Sequence, residues 1–448
     1  METYFHSVTL DEEKCKGCTN CIKRCPTEAI RVRKSKARII NESCIDCGEC
    51  IRVCPYHAKK AITDAFDTIY SYKYRIAVPA PSLYGQFKPE YSRNQILNAL
   101  KSLGFNEVYE VAKAAELVTD ATKKLMERKK VRKPLISSAC PAVVRLIQVR
   151  FPNLIDNLVR LESPMEVAAK TVKRKTAARL SIPVEDMGVF FITPCAAKAT
   201  SVKAPYENEK SSVDGVISIK DIYLKLLTAL EPGNNGEMLS QAGFEGIRWA
   251  NSGGEGLALG TDKFLAVDGI HNVITILEAM ENDKLEDVEF IEALACTGGC
   301  LGGPLTVENV YVAKTRLKKH IDEAREGAAS QSPEDTSHDL DWTGNIEYKP
   351  VMKLDSDMEK AIKKLEELET INSQLPGLDC GSCGAPSCRA LAEDIVRGIA
   401  NETDCIFKLR EKVRDLAAQM MELEGKIPPV MDKGTKGAES RGKADEGN

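Results

Sequence analysis

The chain of 448 residues has room for two or three domains, and an apolar share of 43% supplies a sizeable core. Acidic and basic residues nearly balance, 66 against 62, and the net charge of −4 gives no basic footprint for nucleic acid or an anionic membrane surface. No basic leader precedes an apolar run at the N-terminus, and no stretch approaches the ~18 apolar residues of a spanning helix, so a cytoplasmic location without membrane insertion is expected.

In chain order, residues 1–66 hold an internal repeat: Cys15-x2-Cys18-x2-Cys21-x3-Cys25-Pro26 returns as Cys44-x2-Cys47-x2-Cys50-x3-Cys54-Pro55. From 70 to 328, short apolar runs at Arg75–Pro79, Pro134–Ser137, Val189–Thr193 and Val288–Ala295 alternate with amphipathic stretches, the pattern of an α/β domain with mostly parallel strands. Three of these runs end in cysteine: Cys140, Cys195, and Cys296 with Cys300. In such folds the carboxyl ends of the strands line the crevice that takes ligands. A helix beginning near Thr297 is expected to aim its amides into that crevice. Residues 329–350 lose apolar periodicity and read as a linker. A small helical domain, 351–426, follows. Met358, Ile362, Leu365, Leu368 and Ile371 stripe its first helix, and Leu409, Val413, Leu416, Met420 and Leu423 its last. The spacing predicts that the two helices pack on each other; the alternative, an intermolecular coiled coil, would make a homodimer. Between them lie Cys380, Cys383, Cys388 and Cys405. The tail from 427 to 448 reads as disordered.

All sixteen cysteines fall into these groups, and in a reducing compartment C-x2-C spacing favours metal or iron–sulfur ligation over disulfides. Four thiolates per cubane would make four clusters with none left over. Zinc is the alternative, but a tetrahedral zinc site does not call for three close cysteines and a remote fourth. No glycine-rich nucleotide loop follows a strand, so neither NAD nor flavin is expected. The five histidines stand apart from the motifs and read as structural or solvated.

The N-terminal run resembles the bacterial two-cluster ferredoxins. That resemblance implies electron transfer and assigns Cys15, Cys18, Cys21 and Cys54 to one 4Fe-4S cluster, and Cys44, Cys47, Cys50 and Cys25 to the other. The three central loops, Ser137–Pro141, Thr193–Lys198 and Glu292–Pro304, resemble the signature loops of iron-only (FeFe) hydrogenases, and the likeness spans roughly residues 70 to 325. It implies that Cys140, Cys195, Cys296 and Cys300 hold a cubane, with Cys300 also bridging to a two-iron subsite bearing CO and cyanide. It further implies that Lys198, with the turn Ala80, Pro81 and Ser82, contacts the cyanides. The C-terminal cysteines resemble the single-cubane domain of electron-transfer complexes and corrinoid proteins.

Departures from the hydrogenase pattern concern the proton relay. The family's relay cysteine is here Ala139, its serine aligns near Val159, and its acidic positions fall in Val118–Thr122. Thr193 and Leu294 replace methionines that flank the two-iron subsite, and the third loop ends Gly302-Gly303-Pro304. These losses resemble the divergent sensory subgroup. The expectation is a protein that interconverts hydrogen with protons and electrons slowly and passes redox state to a partner docked at the ferredoxin or C-terminal cluster domain. The alternatives are a catalytic hydrogenase with a rerouted proton path, and a non-catalytic scaffold like the eukaryotic cluster-assembly factors, which lack the two-iron subsite.

Overall fold

A computed structural model describes residues 5–128, 131–230, 236–327, 340–351 and 353–426; the expected tail and the first half of the expected linker lie outside them. The chain forms two units, divided after Lys353.

The first unit begins with the cysteine repeat. Strand β1 (Val8–Leu10) pairs antiparallel with β4 (Lys59–Ala61), and β2 (Ile30–Arg33) with β3 (Lys36–Ile39). Two short helices, Asn20–Arg24 and Glu49–Arg52, start at matching points of the repeat, each after a residue with left-handed backbone, Thr19 and Gly48.

The α/β core carries two parallel sheets. One has the order β6-β5-β8-β9, from Glu107–Val108, Tyr74–Pro79, Met187–Thr193 and Gly215–Ser218. The other has the order β10-β11-β7, from Phe264–Asp268, Phe290–Leu294 and Leu135–Ile136. Every residue of β8, β9 and β11 is buried, as expected for parallel strands covered on both faces. The four apolar runs read from the sequence are β5, β7, β8 and β11. The strands that sequence reading passed over are β6, β9 and β10, the first two of which are too short to show a period.

Residues 340–350, read as linker, lie on this core. Leu161 bridges Asp341, the Trp342 indole donates to Leu161 O at 2.7 Å, Lys349 N donates to Gln148 O at 3.0 Å, and Ile346 is buried. A few hydrogen bonds and one apolar anchor hold this strap without any periodic pattern.

In the second unit, helix Met358–Gln374 is capped by Asp357 and helix Cys388–Val396 by Ser387. Leu368, Ile371 and Leu375 are buried against Ala390, Leu391 and Cys405. The last helix, Ile406–Glu424, buries none of its residues, and Leu409, Val413, Leu416, Met420 and Leu423 are exposed. The first helix therefore spends its buried face on the middle helix, and the expected packing between first and last helix is absent from the core. Among the described residues no helix is long and apolar enough to cross a membrane.

Candidate metal centres

The carboxyl ends of β5, β7, β8 and β11 converge on one cavity with about 870 Å³ free of protein atoms, lined by Cys140, Cys195, Cys296 and Cys300. Cys140 and Cys195 occupy the cap positions of helices Pro141–Arg150 and Ala196–Lys203, and Pro141 fixes the first turn. The third loop turns at Gly298 and Gly299, both at positive φ, into the short 3-10 segment Gly299–Gly302. That segment replaces the helix expected near Thr297, because two successive left-handed residues interrupt helical geometry. A side chain at Gly303 would bring a Cβ within 2.3 Å of Pro194 O, so only glycine lets this loop pass the second one.

Burial, followed by the charges of Cys296 and Cys140, pushes the Cys195 thiol up to about 12; burial likewise pushes Cys140 and Cys300 up. Four crowded sulfurs, three of which hold their protons tightly, suit a polynuclear cation that displaces those protons. Lys198 lines the same cavity, and its Nζ is buried without a hydrogen-bond partner among the described residues. The Ser82 hydroxyl is buried without a partner too, beside Ala80 and Pro81, which line the cavity. A buried ammonium and hydroxyl without partners at this site call for an anionic acceptor. The residues present thus fit a cubane carrying an anionic two-iron group.

Two further carboxyls line this cavity, Glu255 and Glu292, both buried. Ser137 Oγ donates to Glu255 at 2.6 Å, while Glu292 accepts from Gly253 N and Gly256 N, each at 2.9 Å. Burial, then the neighbouring Glu292 charge, pushes Glu255 up to about 8; burial pushes Glu292 up to about 7 against its backbone donors. The sequence signal for Glu292 was an acid inside a wholly buried strand, which needs partners. Glu255 gave no signal beyond its setting in Gly253-Gly254-Glu255-Gly256. By contrast, Ala139 and Val159 carry no proton, and Thr119 and Thr122 donate to carbonyls of their own helix.

A carboxyl whose pKa is higher folded than unfolded binds more protons in the folded state, so folding stability falls as pH rises between the two values. The melting temperature of the cluster-free protein is therefore expected to decline from pH 4.5 to about 8, Glu207 at about 7 adding in the same direction. The double variant E255Q/E292Q should flatten much of that decline in a thermal melt, and an unchanged slope would contradict the assignment.

The repeat forms two more cavities of about 340 Å³ each. One is lined by Cys15, Cys18, Cys21 and Cys54, the other by Cys25, Cys44, Cys47 and Cys50. The second lies against the central site: Cys47 packs on the same apolar cluster as Cys140 and Cys195, and a Cβ at Gly48 would sit 2.5 Å from Pro304. Burial works against the charge of Arg52, but Cys296, to which it donates, and Glu49, at 3.1 Å, outweigh it and raise its pKa. His6 Nδ1 lies 2.8 Å from Asp46 Oδ2. In the second unit, Cys383, Cys388 and Cys405 share one apolar cluster, while Cys380 is exposed.

Family models match three stretches: "Iron only hydrogenase large subunit, C-terminal domain" over 73–254 and 225–304, "4Fe-4S dicluster domain" over 7–55, and "Putative Fe-S cluster" over 375–407. The chain is 22% identical over 348 residues to the NADP-reducing hydrogenase subunit HndD of Solidesulfovibrio fructosivorans, covering 66% of this chain and 56% of that one. It is 24% identical over 382 residues to the periplasmic [Fe] hydrogenase large subunit of Nitratidesulfovibrio vulgaris, covering 70% and 90%. The cytosolic Fe-S cluster assembly factor NAR1 of Candida dubliniensis is 27% identical over 128 residues, covering 28% and 22%. The chain thus spans little more than half of the first relative and most of the second.

Proposed function

Because the chain belongs to the family of the iron-only hydrogenase large subunit, C-terminal domain, we propose that it interconverts hydrogen with protons and electrons at the central cavity. In this reading Cys140, Cys195, Cys296 and Cys300 would hold a 4Fe-4S cluster, with Cys300 also a ligand toward a two-iron subsite bearing CO and cyanide. Three further clusters occupy the two cavities of the repeat and the cysteines Cys380, Cys383, Cys388 and Cys405. When bound, the two-iron group would supply the redox chemistry that splits or forms hydrogen.

The protein's own groups do the rest. Lys198 holds the anionic group by charge, with the Ala80, Pro81 and Ser82 turn beneath it. The apolar wall, including Val111, Met165 and Phe191, keeps water out and strengthens that attraction. Glu255, held by Ser137, accepts or returns the proton beside Glu292, since both carboxyls sit near neutral pKa. Electrons cross where Gly48 meets Pro304.

The observation that carries the proposal is the unpartnered buried ammonium of Lys198 in a cavity with four convergent cysteines. The carboxyl pair favours a rerouted proton path over the loss of one. The missing relay residues at Ala139 and Val159 still favour slow turnover and a sensing role, in the cytoplasm, with a redox or signalling partner at the ferredoxin or C-terminal domain. Residues 1–66, 70–328 and 351–426 would then be the ferredoxin, hydrogenase and single-cluster domains.

The test is anaerobic infrared spectroscopy after reconstitution with iron, sulfide and a synthetic two-iron precursor, followed by hydrogen. The expected result is protein-bound CO and cyanide bands that shift under hydrogen. Absence of bound bands would sink the proposal and leave a cluster scaffold of the assembly-factor kind.

A further inference from the structure

The cysteine repeat holds at the backbone as well as in sequence: positive φ recurs at Gly17 and Asp46, Thr19 and Gly48, and Glu28 and His57, always at the same offset. That offset sets Ile30 against Lys59. Ile30 is 2% exposed and lines the cavity of Cys25, Cys44, Cys47 and Cys50. Lys59 is 3% exposed and lines the cavity of Cys15, Cys18, Cys21 and Cys54, and its Nζ has no hydrogen-bond partner among the described residues.

The fold does not require a lysine there, because its twin position is filled by isoleucine. A buried ammonium without a partner is costly unless an anion compensates it. The cavity that lacks a lysine has instead a buried carboxylate, Asp46, which accepts from Val8 N at 3.0 Å and lies beside His6. Two cavities of one design are thus lined by side chains of opposite charge, the Lys59 charge being felt also at Cys50 and Cys25 across the shared wall.

We propose that Lys59 makes the two clusters unequal, raising the reduction potential of the cluster held by Cys15, Cys18, Cys21 and Cys54 above that of its twin. The inference rests on the assignment of one 4Fe-4S cluster to each cavity made above. Reduction adds one negative charge to a cluster, and a buried cation stabilises that charge in a medium of low dielectric. The electron step balances simply: the twin cluster, beside the central site through Cys47 and Gly48, loses one electron as the cluster at Lys59 gains one. Electrons leaving the central site therefore come to rest one cluster away from it. That arrangement suits a protein that holds a redox state for a partner to read. Lys59 touches no reacting atom and is a positioning residue for charge.

The experiment is a potentiometric titration of the reconstituted full chain, followed by electron paramagnetic resonance, in the native protein and in K59I and I30K. K59I copies a residue that the same repeat already accommodates. K59I should lower one midpoint more than the other, so that the reduced-to-oxidised ratio of that cluster at fixed potential drops roughly tenfold, about 59 mV for a one-electron couple. I30K should raise the other midpoint more, and in the native protein the first should lie above the second. Restoring a cation with K59R should return the midpoint toward native. The inference is overturned if K59I shifts no midpoint at native iron content, if K59I and I30K shift the same one more, or if the midpoint that K59I moves more is the lower of the pair. A chain that shows no reducible cubane signals at all would instead refute the cluster assignment itself.

Discussion

Replacing Glu255 by glutamine is expected to slow hydrogen turnover with an artificial electron-accepting dye by about 10²- to 10⁴-fold, the usual cost of one general acid–base group. Glutamine is nearly isosteric and keeps an oxygen to accept from Ser137 Oγ, which also accepts from Ala139 N at 3.2 Å and so steadies the Cys140 loop. Iron content and the infrared bands should stay native, which separates a lost proton acceptor from a disturbed cluster. Glu255 and Glu292 repel each other's charges, so the pair titrates as a unit with apparent values near 7 and 8. Hydrogen evolution, which needs a protonated donor, should fall as pH rises through that window, and hydrogen uptake, which needs an ionised acceptor, should rise. In E255Q one of the two steps should vanish. If E255Q and E292Q both turn over at the native rate, protons reach the site by another route and the carboxyl pair is structural.

The parts of this protein that were legible in the sequence are those whose chemistry is local. The ferredoxin loops carry three of their four cysteines within one turn, and the central cysteines each follow an apolar strand, so spacing alone pointed to both. Glu255 and Glu292 were missed because neither sits in a motif; they act together only because one comes from a glycine-rich turn and the other from the middle of buried β11. Lys59 was missed for a related reason. The repeat was read at its cysteines, and comparing the residues between them would have set Lys59 against Ile30. The stripe on Ile406–Glu424 shows the opposite error. Apolar spacing says which face of a helix is sticky, but the partner it meets is fixed by what else competes, and here the helix after Cys388 took the face of Met358–Gln374.

The Lys198 ammonium supports a second large effect: Lys198→Met should abolish retention of the two-iron group while leaving the four-cysteine cubane in place. Methionine keeps the apolar stem and removes the charge. An ammonium about 4 Å from an anion contributes about 4 kcal/mol at the effective dielectric typical of proteins, roughly 10³-fold in affinity. The folded state should tolerate the change, because Lys198 currently opposes the burial that raises both Glu207 and Glu166. Without it these carboxyls rise further and take up protons, and they keep their bonds from Ser163 N, Ser211 Oγ and Ser212 N. Lys198 is thus poised between two uses: a counter-charge for two buried glutamates, or a grip for an external anion. Its Nζ donates to neither glutamate, which argues for the second. Infrared spectra of K198M after incubation with the synthetic precursor decide between them. Missing bound bands with a normal cubane signal assign the grip to Lys198; native bands would return it to a structural role and leave the anionic group to Cys300 and the turn at Ala80, Pro81 and Ser82.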